Sequence, residues 1–185
     1  MTANNVIQTI KNRRSIRTYQ EEQIKEAELQ AILEAGIYAP TGHNDQPWHF
    51  TVIRNKEFIN HMSEKTKEVM KTSPIGWVVK IANSDRHIFY NAPTVIVVSG
   101  RKNAYSPLTD CSAAIQNMLV AAESMNIGSV WIGLIDHLFT LEDEVKKFEL
   151  PEGYQPYYAV CLGYKKDQSP VPAPKRNMDV INFID

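Results

Sequence analysis

The sequence predicts one domain in which helices and strands alternate along the chain. Three observations predict it. A length of 185 residues, 43% hydrophobic and 22% charged, suits one globular unit with a real core. The hydrophobic period switches repeatedly between that of a helix and that of a strand. The run "PTVIVVSG" (93–100) is β-branched and nearly continuous, the pattern of a strand covered on both faces.

The elements follow in order. Asn4 or Asn5 is placed to cap a short first helix through Lys11, with Val6, Ile7 and Ile10 on its inner side. In "EAELQAILEAG", Leu29, Ile32, Leu33 and Gly36 repeat at i, i+3, i+4 and i+7. A second helix is expected there, with Gly36 as its C-terminal cap. "WHFTVIRN" alternates as a strand. "KEFINHMSEKTKEVM" is an amphipathic helix that has to stop before Pro74, because a proline pushes its predecessor out of the helical region. "PTVIVVSG", "SVWIG" and "PYYAVCLGY" supply three further strands. The tail from Ser169, with Pro170, Pro172 and Pro174, is expected to cross a surface in extended form.

One helix carries more information than the rest. "DCSAAIQNMLVAAESM" follows a cap at Thr109 or Asp110 and bears Ala113, Ala114, Ile115, Met118, Leu119, Val120, Ala121, Ala122 and Met125. A helix apolar on nearly every side must be buried on nearly every side. One central helix within a small domain meets that requirement, and so does a pair sandwiched between two copies. Both remain open, and the small alanines favour close helix–helix approach.

Charge and motifs narrow the function. Lys and Arg number 20 against 21 Asp and Glu, so no overall field draws in nucleic acid or an anionic membrane. No apolar run nears the roughly 18 residues that span a bilayer, and "MTANNVIQTI" lacks the layout of a signal peptide. Cys111 and Cys161 form no CxxC or zinc pattern. A reduced, cytoplasmic protein is the expectation. The glycines form neither GxGxxG nor a phosphate loop, no GxSxG occurs, and the histidines show no metal-ligand spacing. Without self-contained machinery, an enzyme of this kind draws its reactive atoms from a bound cofactor. No side chain is assigned as catalytic, and none to a metal.

Any basic function is therefore local, and "RRSIRTY" (13–19) is where it concentrates. In an extended segment Arg13, Ser15 and Arg17 share one side, with Arg14 opposite or at a bend. Two guanidinium forks and a hydroxyl suit a phosphate. The alternative is a solvated, salt-bridged run facing Glu21, Glu22 and Glu26. In "APTGHNDQPWHF" (39–50), Pro40, Thr41 and Gly42 form a turn, and the amides of Asn44 and Gln46 can both donate and accept, as the edge of a heteroaromatic ring requires. Trp48, Trp77 and Trp131 are read as core residues, Cys111 as a small hydrophobe, and His137 as a pocket-lining, capping or surface residue.

Together these stretches resemble the nitroreductase family of FMN-dependent flavoenzymes. The resemblance rests on "RRSIRTY", "APTGHNDQPWHF", "FYNAPTVIVV" (89–98), "DCSAAIQNMLVAAESMNIGSVWIG" (110–133) and "PAPKRNMDV" (172–180), five motifs in the family's order. It implies one FMN-binding domain over residues 1–185, of α+β class. Its sheet would be mixed and mainly antiparallel, flanked by helices, in an intertwined homodimer with FMN at the subunit boundary. It implies that Arg13, Arg14, Ser15 and Arg17 grip the phosphate and ribityl chain, assisted by Lys175 and Arg176. Pro40, Thr41, Gly42, Asn44 and Gln46 would reach the flavin from the other subunit, and Ile132, Gly133 and Leu134 would supply backbone groups near its N5 and O4 edge. NADH or NADPH would give hydride to N5, and a nitroaromatic, a quinone or another conjugated acceptor would then take the electrons in a ping-pong cycle. The alternative is a member with little nicotinamide turnover, or one whose flavin serves dehalogenation or flavin breakdown. The chain departs from the family where only "RKNAYSPLT" precedes the long helix, where Gly42 replaces a hydroxyl, and where Gly133-Leu134 replaces an acidic residue and glycine. No nucleic acid or membrane partner is implied.

Overall fold

Asn4 starts the first helix. The computed structural model describes residues 4–169 and 171–184. In it the Asn4 side-chain oxygen accepts from the N–H groups of Val6 at 2.9 Å and Ile7 at 3.3 Å, satisfying two donors that a helix start leaves orphaned. Helix α1 then covers Asn5–Asn12. Its Val6, Ile7 and Ile10 do not face inward as expected; each is more than half exposed. The first three residues of the signal-peptide reading, and Pro170 of the tail, lie outside the described residues.

Helix α2 covers Glu26–Ile37 and buries Leu29, Ile32 and Gly36. Gly36 is not its cap: the helix runs on to Ile37, and Tyr38 closes it through an N–H to the Glu34 carbonyl. The glycine is there for packing, since a Cβ at Gly36 would lie 2.5 Å from Met118 Cε. Strand β1 is Trp48–Ile53, and helix α3, Lys56–Met70, is capped by the Asn55 side chain and ends ahead of Pro74. A short α4, Gly76–Ala82, follows. It carries Trp77 at 59% exposure, so this tryptophan is a surface residue and not a core one. Then come β2 (Thr94–Arg101), α5 (Pro107–Ser124), β3 (Ile127–Ile132), a 3-10 turn at Leu134–Thr140, α6 (Glu142–Lys146) and β4 (Tyr154–Tyr164).

The long helix α5 begins earlier than the sequence indicates. Ser106 precedes it and Pro107 takes its first position, where a missing N–H costs nothing. Thr109 and Asp110 therefore sit inside its first turn, not at its cap. Ala114, Ile115, Met118, Leu119 and Ala122 are buried, while Ala113, Val120, Ala121 and Met125 are only half covered.

The strands order as β1-β2-β4-β3, each pair antiparallel. The parallel component is a single bridge from Ser15 to Ser129 on the outer edge of β3. Side chains alternate across the central strand as the doubly buried pattern requires. Val95 and Val97 join Ile59 and Met62 of α3 in one core, and Ile96 and Val98 join α2 and α5 in the other. The sheet is clothed in helices on both faces, which leaves its two edges as places to build a site. The tail, residues 171–184, has no regular secondary structure and is exposed, with Met178, Val180, Ile181 and Phe183 all more than two-thirds exposed.

Candidate flavin-binding site

The arginine segment is seated by two glycines. Gly128 of β3 and Gly163 of β4 are register partners, and neither presents a side chain. Ile16 packs over the first, where a Cβ would come within 2.9 Å of its Cγ2. Tyr19 packs over the second in the same way, again at 2.9 Å. The Ile16 N–H donates to the Ser129 carbonyl at 2.9 Å, and the Tyr19 hydroxyl donates to the Ile16 carbonyl at 2.6 Å. Burial pushes the Tyr19 pKa far up, which keeps that hydroxyl a donor. Residues 15–19 are thereby bound to the sheet, and the flanking arginines project from a fixed base.

The arginines have no carboxylate partner within 4.0 Å among the described residues. Glu26, offered by the surface-ion-pair alternative, is engaged by Arg54 at 2.6 Å. Arg13 is half-buried and makes no side-chain hydrogen bond among the described residues. Arg14 donates to the carbonyls of Lys11, Arg13 and Val171, tying the root of the tail to the segment. Arg17 donates to the Ser15 carbonyl at 3.2 Å, and its guanidinium lies 5.6 Å from the Tyr90 ring centre, within cation–π range. Arg17 and Arg14 diverge, as alternation predicts. Arg17 borders a cavity of about 650 Å³ with Tyr90, Asn91, Lys56, Arg86 and Lys166, whereas Arg14 borders a separate one of about 290 Å³.

Beside this segment β3 ends at buried Ile132, and exposed Gly133 turns the chain into the 3-10 turn opened by Leu134. No atom lies within 4 Å of where a Gly133 Cβ would stand, so backbone groups at the turn are approachable. His137 has Nδ1 3.1 Å from an Asp136 carboxylate oxygen, and its Nε2 is buried without a partner among the described residues. A buried unpaired nitrogen is costly unless something outside the chain satisfies it.

The second predicted segment lies elsewhere. Thr41 donates its hydroxyl proton to Asp110 at 2.7 Å and accepts the Gln46 N–H at 3.1 Å. Pro40 ahead of it is exposed. Gly42 is closely surrounded: a Cβ there would meet Tyr105 at 3.0 Å and the Ser106 hydroxyl at 3.1 Å, so a larger residue would have to push these side chains aside by a few tenths of an ångström. His43, Asn44 and Gln46 all hold positive φ. The Gln46 side-chain NH₂ donates to the Asn44 side-chain oxygen at 3.0 Å. This leaves Asn44 a donor and Gln46 an acceptor, both facing solvent.

These two segments sit at opposite edges of the sheet. The arginine run lines β3, and residues 40–46 lead into β1. Three strand spacings, about 14 Å, separate the edges, and the segments join them at opposite ends of β2, level with Thr94 and with Gly100, which adds about 20 Å along the strands. Lys175 and Arg176, on the exposed tail, share a shallow hollow only with their own neighbours and make no hydrogen bond to residues 13–17. Sequence reasoning missed Tyr90 as the wall beneath Arg17, although "FYNAP" held it, and missed Asp110 as the partner of Thr41.

Comparison with known proteins agrees with this architecture. The model of the nitroreductase family matches residues 10–164. An FMN-bound nitroreductase from Bacteroides fragilis superposes with a TM-score of 0.88 at 33% identity, over 99% of this chain and all of that one. A Methanothermobacter thermautotrophicus protein provisionally named NADH dehydrogenase/NAD(P)H nitroreductase is 38% identical over 167 residues, 86% of this chain and 76% of its own length. The NAD(P)H-dependent FMN reductase of Bacillus subtilis is 26% identical over 188 residues, 97% of this chain and 73% of its own. The fold is thus that of an α+β flavoenzyme class. The chain belongs to the nitroreductase family.

Proposed function

We propose that the protein is an NAD(P)H-dependent FMN oxidoreductase working as a homodimer, with residues 1–185 as one flavin-binding domain. The observation that carries this reading is the separation of the two half-sites. A cationic clamp on one edge and an amide-bearing loop on the other meet on a single ligand when two copies pair edge against edge. The half-covered outer side of α5, the exposed apolar side of α1 and the exposed apolar residues of the tail are the surfaces such pairing would bury.

The residues present fit FMN. Arg13, Arg17 and the exposed Ser15 hydroxyl offer donors that no acid among the described residues consumes, which matches a phosphate of charge about −2. Arg14 holds the tail root, from which Lys175 and Arg176 extend toward the same anion on assembly. The turn at Ile132, Gly133 and Leu134 offers backbone donors to the ring, and Asn44 with Gln46 offers a donor and an acceptor to its polar edge. FMN, when bound, supplies an N5 that takes hydride from NADH or NADPH and passes the electron pair to a conjugated acceptor such as a nitroaromatic or a quinone. The chain's own task is to hold, orient and desolvate, so no side chain has to act as acid or base. The two buried cysteines are free, in keeping with a reducing cytoplasm.

The test is a visible spectrum of the purified protein followed by anaerobic NADPH. Yellow protein whose flavin bands bleach is expected. Colourless protein that FMN cannot reconstitute overturns the reading, and bound flavin that neither NADPH nor NADH bleaches would instead favour a member whose cofactor serves another reaction.

A further inference from the structure

Asp110 is the most deeply buried carboxylate among the described residues, at 4% exposure, and no cation pairs with it there. It accepts two hydroxyl hydrogen bonds, from Thr41 at 2.7 Å and from Ser106 at 2.8 Å. Its place in the first turn of α5, where the helix dipole is positive, favours the charge. Thr41 in turn accepts the Gln46 N–H at 3.1 Å. A chain of contacts therefore runs from a helix packed on α2 and β2, through one carboxylate and one hydroxyl, into a loop with three left-handed residues, at φ 53°, 57° and 43°. Backbone of that kind persists only where its surroundings hold it.

We propose that Asp110 is a positioning residue: acting through Thr41, it fixes the loop that presents Asn44 and Gln46 to the flavin of the partner subunit. The Thr41 hydroxyl accordingly serves the scaffold, its proton and one lone pair being already committed. The inference rests on the FMN reading above.

The test compares Asp110→Asn, Thr41→Val and Thr41→Ser in the full-length protein. Asparagine offers one acceptor oxygen in place of two, for which Ser106 in the same helical turn competes with Thr41, so the Thr41 link is weakened or lost. Asp110→Asn should weaken FMN binding about tenfold, the loss of one buried hydrogen bond. Thr41→Val should match it, the double variant should be no worse than either single one, and Thr41→Ser should stay within about twofold. In FMN-free protein, hydrogen exchange at the Gln46 amide should quicken at least about tenfold in Asp110→Asn while amides of β2 and the middle of α5 keep their protection. Additive losses, or unchanged FMN affinity and unchanged Gln46 exchange, overturn the proposal. Should Asp110→Asn fail to fold, Thr41→Val, which leaves the first turn of α5 untouched, carries the same comparison. A wild-type chain that binds no FMN refutes the flavin reading, and Gln46 exchange then decides the Asp110–Thr41 link alone.

Discussion

Gly128→Ala should damage stability and flavin binding together. The added Cβ would lie 2.9 Å from Ile16 Cγ2, 3.2 Å from Ile16 Cβ and 3.1 Å from the Gly163 carbonyl oxygen. Isoleucine is branched at Cβ and stiff, and the carbonyl belongs to the neighbouring strand, so neither neighbour can swing aside. What can move is the arginine segment itself. Lifting it stretches the Ile16 N–H bond to Ser129, worth about 1 kcal/mol, and overpacks the edge by about 1–2 kcal/mol. Alanine recovers about 0.5–1 kcal/mol over glycine in a strand, so the net loss is about 1–2.5 kcal/mol. Ser15 and Arg17 flank Ile16 and shift with it, so FMN affinity should fall about tenfold. Urea unfolding and FMN titration of the same preparation measure both. A variant as stable as the parent with undiminished FMN affinity would refute the seating of residues 15–19 on the Gly128–Gly163 trough.

Two further outcomes are expected. Arg13→Ala and Arg17→Ala should each weaken FMN by about 10- to 100-fold, as loss of a charge-assisted phosphate contact does, in fluorescence-quenching titrations. Arg14→Ala should weaken it less, because its donors already serve the carbonyls of Lys11, Arg13 and Val171. Burial alone would raise the Glu144 pKa, but hydrogen bonds from Lys147 at 2.8 and 2.9 Å and the contact with His61 at 2.9 Å outweigh it and hold the carboxyl below its usual 4.5. A lowered folded-state value stabilises the protein above the unfolded value and loses that contribution as pH falls through the folded one. Stability should therefore drop below about pH 4.5, and Glu144→Gln should flatten that drop in a pH series of urea midpoints. Equal slopes for both proteins would contradict the cluster's role.

The sheet was legible in the sequence because strand periodicity is local. "PTVIVVSG" alone foretold a strand sandwiched between two cores, and Val95 to Val98 divide between them as alternation requires. Helices α4 and α6 were not legible, since seven and five residues are too few to complete an amphipathic pattern. Gly36 shows a different limit. A glycine reads the same whether it ends a helix or lets a second helix close in, and only the distance to Met118 tells the two apart. Trp77 reads as core by type, yet it rides on a short surface helix. At the site, the arginine run declared itself through local charge. Asp110 did not, because its partner Thr41 is 69 residues away in sequence and the first turn of a helix offered a nearer explanation for an aspartate.

The central claim is that one flavin is held by the β3 edge of one copy and the β1 edge of another. Co-expression of an Arg13→Ala/Arg17→Ala chain with an Asn44→Ala/Gln46→Ala chain tests it directly, since a mixed pair then holds one doubly damaged site and one intact site. With random pairing about a quarter of all sites should regain parental FMN affinity, while neither variant alone regains any. Full independence of the two chains, with no high-affinity FMN recovered on mixing, would place both half-sites in the same protomer and contradict the account.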